Sequence, residues 1–202
     1  MRYLITLFLF CCTSLLSANG IDRLMQGNNR YIQDTLEHPN RTPERREAVA
    51  LKQEPFAVIV GCSDSRVSPE IIFDQGVGDL FVVRVAGNVI GPLELDSIEY
   101  AALYLHSSTL LILGHETCGA VKAVVDGTTK NIESIASLIE PSVQEEREKK
   151  VPNLLEASIK ANAMNMRNVL LKNPAIAKLV EDKKLEVYAG YYHLQTGKVE
   201  LL

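Results

Sequence analysis

The stretch FAVIVGCSDSRV, residues 56–67, decides the fold of this chain. Residues 56–60 form an unbroken apolar run rich in β-branched side chains, and Pro55 and Gly61 bound it. Such a run is typical of a short strand that is buried on both faces, as in parallel sheets covered by helices. The polar residues that follow it then lie at the carboxyl end of a strand, where open α/β sheets bind their ligands.

Similar apolar runs recur along the chain and alternate with stretches of helical periodicity. Further strands are predicted at 80–85, 109–113 and 185–192, with a candidate edge strand at 199–202. Helices are predicted at 21–33, 42–53, 93–106, 118–125, 153–171 and 174–182. This alternation indicates an α/β fold with a central, mostly parallel sheet of four strands plus an edge strand, flanked by helices. The charge run at 145–150 is predicted to be a solvated loop or helix face.

The composition fits a single globular domain. Of the 202 residues, 47% are hydrophobic and 23% are charged, which excludes a disordered, collagen-like or polytopic membrane protein. The net charge of −4 argues against a nucleic-acid partner, because nucleic-acid binders carry basic patches. We expect residues 19–202 to form one domain.

The first eighteen residues have the pattern of a secretory signal peptide. Arg2 supplies the positive start, residues 3–16 are nearly all apolar, and Ser17 and Ala18 are small residues suited to cleavage. The run is shorter than the roughly 20 apolar residues that a membrane span needs. The alternative is a buried N-terminal helix. We expect an exported protein, periplasmic if the source is Gram-negative, with no membrane partner after cleavage.

Two predicted strand ends carry side chains that bind metals. Cys62 follows the strand at 56–60, and His115 and Cys118 follow the strand at 109–113. If these two strands are neighbours, the three side chains share one crevice. Two thiolates and one imidazole with an open fourth position are a known catalytic zinc arrangement.

A disulfide is the alternative for the same two cysteines. Once a signal peptide is removed, Cys62 and Cys118 are the remaining cysteines, and exported proteins commonly pair theirs. His115 beside Cys118, and the nearby Asp64 and Arg66, argue against it, because a disulfide needs none of them. Taken alone, the Asp64–Arg66 pair is also compatible with an ordinary surface ion pair worth about 0–1 kcal/mol.

From about residue 21 to its end the chain resembles the β-class carbonic anhydrases, in a form similar to the plant-type members with an open site. The matching segments are CSDSRV (62–67), GDLFVVRVAGN (78–88), SIEYA (97–101), HETCG (115–119) and YYHLQTGKV (191–199). The resemblance implies an enzyme that reversibly hydrates CO₂ to bicarbonate and a proton. It also implies one Zn²⁺ per subunit, held by Cys62, His115 and Cys118.

The resemblance further implies that Asp64 and Arg66 form a catalytic dyad that assists the attack of a zinc-bound hydroxide on CO₂. Arg66 can keep Asp64 ionised through a charge-assisted contact. In some members this contact breaks, and the aspartate becomes a fourth zinc ligand that closes the site. Members with a bicarbonate switch have a Trp three residues before the first zinc cysteine. Here that position is Ile59, so we do not expect this switch, although Arg84 and Tyr192 match its other two positions.

The resemblance assigns four residues to substrate binding. Gln53 occupies the position of a substrate-binding glutamine in plant-type members and favours an open site. Gly119 would offer its backbone N–H to bicarbonate. Phe81 and Tyr100 would line the pocket near a dimer interface, and a role as core aromatics is the alternative for both. The family forms dimers whose active sites are lined by both subunits, and often tetramers. The sequence leaves dimer or tetramer open.

Two further functions remain open at this point. A hydrolase of COS or CS₂ on the same scaffold would use the same ligands, so ligand spacing does not exclude it. The other is a metal-free exported protein with a Cys62–Cys118 disulfide.

Overall fold

The computed structural model describes residues 19–202. The predicted signal peptide, residues 1–18, lies outside the described residues and stays a prediction. Of the helices in the described part of the chain, none combines the length and apolar character needed to span a membrane.

A single five-stranded sheet in the order β2-β1-β3-β4-β5 forms the centre of the molecule. The first four strands in that order pair in parallel, and β5 is antiparallel to β4. The strands are β1 (Ala57–Gly61), β2 (Leu80–Arg84), β3 (Thr109–His115), β4 (Glu186–Tyr192) and β5 (Val199–Leu201). The predicted mostly parallel α/β fold is confirmed, including the edge strand.

Eight α-helices and one short 3₁₀ helix connect the strands within residues 19–202. They are α1 (Gly20–Ile32), α2 (Pro43–Ala48), α3 (Pro69–Ile72), the 3₁₀ helix (Ala86–Asn88), α4 (Pro92–Leu103), α5 (Gly119–Val125), α6 (Glu133–Glu148), α7 (Leu154–Lys172) and α8 (Pro174–Glu181).

Three of the α-helices differ from the sequence prediction, and one of them is the short α3, which the sequence did not predict. The helix predicted at 42–53 ends at Ala48, because none of its residues is buried and no apolar packing extends it. The sequence did not predict α6, where Pro141 interrupts the helical pattern. The charge run at 145–150 begins on the last turn of α6, and within it Glu146 is buried against the fold.

The two central strands, β1 and β3, are buried along their whole length because helices cover both faces of the sheet. Val58 and Val60 face the larger core, built with α4 to α8. Ile59 and Leu111 face the smaller core, built with α1 and α3. Since β1 and β3 are parallel neighbours, with Gly61 opposite Leu113, their carboxyl ends lie at the same edge of the sheet.

The buried carboxylate of Asp74, just after α3, holds α1 and the segment that follows α1. Asp74 is fully buried and accepts hydrogen bonds from Arg30 Nε at 2.7 Å and from the backbone N–H groups of Glu37 and His38 at 3.0 Å each. Burial by itself raises the pKa of Asp74. The Arg30 guanidinium and the two N–H donors outweigh burial and hold the pKa below its usual range.

The side chain of Asn28 in α1 joins the two ends of the described chain. Its Nδ2 donates to the carbonyl of Gly197 at 2.8 Å, and its Oδ1 accepts from the N–H of Val199 at 2.9 Å. Asn28 is buried, so both contacts are shielded from water. The β4–β5 hairpin is thereby fixed to the first helix.

Candidate metal centre and catalytic site

Cys62, His115 and Cys118 converge at the carboxyl ends of β1 and β3. Their potential ligand atoms, two sulfurs and one imidazole nitrogen, all lie within 4.8 Å of one another. The three residues are 4%, 0% and 0% exposed. The structure therefore brings together the three residues that the sequence predicts as zinc ligands.

The strand ends and one tight turn produce this convergence. Cys62 directly follows β1, and His115 is the last residue of β3. Thr117 then adopts a left-handed backbone conformation with φ of 52°, which is uncommon for a residue other than glycine. This turn places Cys118, directly before α5, in the same buried crevice as His115.

The imidazole of His115 is oriented as a metal ligand needs. Its Nδ1 lies 2.9 Å from the carbonyl oxygen of Glu116, so Nδ1 donates its proton to this oxygen. The other ring nitrogen, Nε2, is buried and has no hydrogen-bond partner among the described residues. A buried polar atom without a partner is rare in native proteins. A metal ion held by the two sulfurs and this nitrogen would account for it, and the donor set fits zinc.

The two thiols are free, and backbone donors surround one of them. Cys62 Sγ accepts from the N–H of Gly87 at 3.3 Å and from the N–H of Asp64 at 3.4 Å. The hydrogen bond with the Cys118 thiol is the main reason that the pKa of Cys62 is lowered. The same contact raises the pKa of Cys118.

Arg66 binds the Asp64 side chain at two points. Its Nε donates to Oδ1 at 2.9 Å and its Nη2 to Oδ2 at 2.7 Å. The side-chain hydrogen bonds from Arg66 are the main reason that the pKa of Asp64 lies well below its usual range. Oδ2 of the same carboxylate is 3.9 Å from Nε2 of His115. An ionised carboxylate thus stands beside the cluster of potential ligands.

Arg84 holds the backbone of the loop that carries Cys62 and Asp64. Its Nε donates to the Cys62 carbonyl at 3.0 Å and its Nη2 to the Asp64 carbonyl at 2.7 Å. Sequence reasoning missed this role and that of the Gly87 N–H. A lone arginine at a strand end has no distinctive pattern, and every residue except proline has a backbone N–H.

Three of the residues that the resemblance assigns to substrate binding, Gln53, Phe81 and Tyr100, lie in different surroundings. Gln53 is exposed and belongs to a surface groove of about 430 Å³ that also includes Tyr100 and Tyr104. None of the three potential metal ligands lines this groove. The ring of Phe81 is 6.3 Å from that of Tyr100, centroid to centroid. The described chain alone therefore does not place Gln53 in the cluster.

Gly119 borders open space next to the cluster. No heavy atom lies within 4 Å of the position that a Cβ on Gly119 would occupy. Gly119 directly follows Cys118 and is itself exposed. A small ligand can therefore approach this part of the backbone closely.

Comparison of the sequence with known proteins identifies a family. The carbonic anhydrase family model matches residues 57–199. "Carbonic anhydrase 2" of Mycobacterium tuberculosis is 36% identical over 184 residues, which cover 88% of this chain and 89% of that protein.

Solved structures share the fold. The β-carbonic anhydrase of Coccomyxa in complex with acetazolamide superposes with a TM-score of 0.67 at 28% identity, over 77% of this chain and 75% of that one. A tetrameric β-carbonic anhydrase of Sordaria macrospora superposes with a TM-score of 0.73 at 23% identity, over 88% and 93% of the two chains. With a family model that spans most of its length and a relative at 36% identity, this chain belongs to the β-class carbonic anhydrase family of enzymes.

Proposed function

We propose that this enzyme catalyses the reversible hydration of CO₂ to bicarbonate and a proton, with one zinc ion per subunit held by Cys62, His115 and Cys118. The observation that carries the proposal is the buried, unpartnered Nε2 of His115 within 4.8 Å of two free thiols. When bound there, zinc lowers the pKa of a coordinated water and so supplies a nucleophile at neutral pH.

Each residue around the cluster has a separate role in the proposed reaction. Asp64 is the catalytic carboxylate: it accepts a hydrogen bond from the nucleophile and orients its lone pair toward CO₂. Arg66 keeps this carboxylate ionised, and both Asp64 oxygens are engaged by its guanidinium. Arg84 fixes the loop backbone that carries Cys62 and Asp64. The exposure of Gly119 and the open space beside its backbone suit the binding of bicarbonate.

We further propose that the active form is a dimer or tetramer in which Gln53 serves the site of another subunit. Strand β2 is the outermost strand of the sheet, with an edge free for pairing within the described chain. Beside it the groove that holds Gln53 includes the exposed side chains of Leu51, Tyr100 and Tyr104. Exposed apolar surface next to an edge strand is typical of an interface. The tetrameric relatives from Sordaria macrospora support self-association.

The test of the proposed function measures zinc and activity on one sample of the chain from residue 19 onward. We expect one zinc per subunit and stopped-flow CO₂ hydration at both pH 7 and pH 8.5. Cys62→Ser removes a ligand and should abolish both zinc binding and activity. Full activity in Cys62→Ser, or activity on COS or CS₂ in place of CO₂, contradicts the proposal.

A thiol titration separates the zinc site from a disulfide. The denatured and unreduced chain from residue 19 onward should yield two free thiols, one each from Cys62 and Cys118. No free thiol would establish the disulfide and reject the zinc site.

We also propose that residues 1–18 direct export and are then removed, which leaves residues 19–202 as one catalytic domain. The amino-terminal pattern of Arg2, the apolar run and the small residues at 17 and 18 supports this. Amino-terminal sequencing of the secreted protein should begin near residue 19, and a cytoplasmic, uncleaved protein contradicts it.

A further inference from the structure

We propose that Glu116 is a positioning residue for the metal centre. Its carboxylate anchors the turn that carries His115 and Cys118 to the backbone of Leu194, in the hairpin between β4 and β5. The inference rests on the proposed zinc site and adds a residue to its support.

Three hydrogen bonds fix Glu116, and each involves a different part of the residue. Its N–H donates to the carbonyl of Tyr192 at 2.9 Å and continues the β3–β4 pairing past the end of β3. Its carbonyl lies 2.9 Å from Nδ1 of His115. Its Oε2 accepts from the N–H of Leu194 at 2.9 Å. The carbonyl that orients the His115 ring therefore belongs to a residue held from two other sides.

The turn needs such an external anchor because its own conformation is unfavourable. Thr117 has φ of 52°, and this left-handed region is unfavourable for a residue other than glycine. A hydrogen bond from a backbone N–H to an ionised carboxylate is about twice as strong as one between neutral groups. Without the Glu116 carboxylate, the peptide group between Glu116 and Thr117, whose carbonyl orients the His115 ring, loses one of the contacts that oppose its rotation.

The hairpin on the other side of this contact is itself rigid. The N–H of His193 donates to the carbonyl of Lys198 at 2.9 Å, and the N–H of Gly197 donates to the carbonyl of His193 at 2.9 Å. Asn28 of α1 holds the same hairpin through two further buried hydrogen bonds. Leu194 is thus a fixed point to which the turn is attached.

Glu156 provides a matched control. Together with Glu116 and Thr117 it lines a small cavity of about 110 Å³, so it carries the same charge close to the same turn. Its carboxylate pairs with Lys160 at 3.0 Å and accepts from Asn153 Nδ2 at 3.1 Å, and both partners belong to α7 or its cap. Removing its charge changes the field near the turn and leaves the anchor to Leu194 in place.

The experiment compares the full chain from residue 19 onward with Glu116→Met, Glu116→Gln, Glu116→Asp and Glu156→Met. Zinc affinity is measured by competition with a chromophoric chelator, and the absorption bands of the cobalt(II)-loaded protein report the ligand geometry. Glu116→Met should bind zinc about 10–100-fold more weakly and shift the cobalt bands. Glu116→Gln keeps an oxygen acceptor of the same reach and should stay closer to the wild type than to Glu116→Met. Glu156→Met should match the wild type in both measurements.

The inference is overturned if Glu116→Met keeps the zinc affinity and cobalt spectrum of the wild type, or if Glu116→Gln loses as much as Glu116→Met. If Glu116→Met fails to fold, the pair Glu116→Gln and Glu116→Asp decides. Aspartate keeps the charge but is one methylene shorter, so it no longer reaches the Leu194 N–H. Tighter zinc binding by Glu116→Gln than by Glu116→Asp supports the anchor. Tighter binding by Glu116→Asp rejects it. A wild type without zinc rejects the proposed function itself. A wild type with zinc and an unchanged series rejects only the role of Glu116.

Discussion

The Asp64 carboxylate and the Arg66 guanidinium face each other in a two-point contact, 2.9 Å between Oδ1 and Nε and 2.7 Å between Oδ2 and Nη2. The Asp64 side chain is 17% exposed and that of Arg66 is 53% exposed, so the pair bridges the buried cluster and the solvent. Both carboxylate oxygens are engaged by the guanidinium, which holds Asp64 in place beside the cluster. This contact is what the proposed open site requires.

Replacement of Arg66 by methionine should therefore weaken catalysis and retain zinc. Without the guanidinium, Asp64 loses the partner that keeps its pKa low and gains the freedom to turn toward the cluster. We expect CO₂ hydration at pH 7 to fall by about 10–100-fold, the range seen when supporting residues of a metal site are removed. Arg66→Lys keeps the charge but loses the two-point geometry. Its rate of CO₂ hydration should lie between those of the wild type and Arg66→Met. Activity of Arg66→Met equal to that of the wild type would reject the dyad.

Replacement of Gly87 by alanine should disturb the site more than the same change at Gly127. Both glycines have positive φ, 73° and 70°, so both substitutions carry a similar backbone cost of about 1–2 kcal/mol. A Cβ at Gly87 would lie 2.7 Å from Ile139 Cδ1. A Cβ at Gly127 would have no heavy atom within 4 Å. We expect an additional loss of about 1–3 kcal/mol for Gly87→Ala from overpacking.

Urea unfolding and zinc affinity measure this difference. Alanine keeps the N–H that Gly87 donates to Cys62 Sγ, but relief of the contact with Ile139 would displace this N–H. Zinc affinity should therefore fall only in Gly87→Ala. Equal losses of stability in the two variants, with equal zinc affinity, would contradict the packing role of Gly87.

The Asp74 carboxylate should make the fold sensitive to acid. Its pKa in the folded state is lower than in the unfolded chain, where aspartate titrates near pH 3.9. The stabilisation is therefore fully present above about pH 4 and is lost as the pH falls through the folded-state pKa. Asp74→Asn removes this dependence and, at pH 7, should lower the free energy of unfolding by about 2–4 kcal/mol, because Arg30 loses its charged partner.

Urea unfolding at pH 7 and pH 3 measures both effects. The difference in stability between the wild type and Asp74→Asn should be large at pH 7 and smaller at pH 3. A difference that stays the same at both pH values would show that Asp74 does not titrate in this range.

A charge in the groove that holds Gln53 should separate the subunits. Tyr104 is 73% exposed and its ring lies 5.8 Å from that of Tyr100. In Tyr104→Glu a carboxylate would have to be buried in the proposed interface, which is unfavourable without a partner. Sedimentation should show a shift toward monomer, with a loss of CO₂ hydration. Val169→Glu, at an exposed apolar residue of α7 outside this groove, serves as the control. Unchanged assembly in Tyr104→Glu would place the interface elsewhere.

The strands and the three potential ligands were predictable because each has a plain local signature. Residues 56–60 and 109–113 are continuous apolar runs, as expected for strands buried on both faces, and parallel neighbours bring their carboxyl ends to one edge. Cys62, His115 and Cys118 follow these runs directly. Their meeting point is a consequence of topology that the sequence already contains.

The remaining features depend on contacts that leave no such signature. Arg84 and Gly87 act on or through backbone atoms, which every sequence offers. Glu116 acts through Leu194, which is 78 residues away in the chain. The helix α6 contains Pro141, so its periodicity is weak although its packing is not. Gln53 lies outside the cluster of its own chain, so its proposed role depends on a second subunit.

The hydrogen bonds of Asn28 with Gly197 and Val199 have a consequence for biosynthesis. A ribosome delivers α1 first, but the partners of Asn28 emerge only with the last hairpin, and so does the Leu194 anchor of Glu116. Contacts of such long sequence separation form late and slow the folding of a domain. A nascent chain that has already produced both cysteines therefore still lacks the contact that supports the turn with His115 and Cys118. If this chain is exported, its thiols pass through an interval in which oxidation competes with completion of the fold.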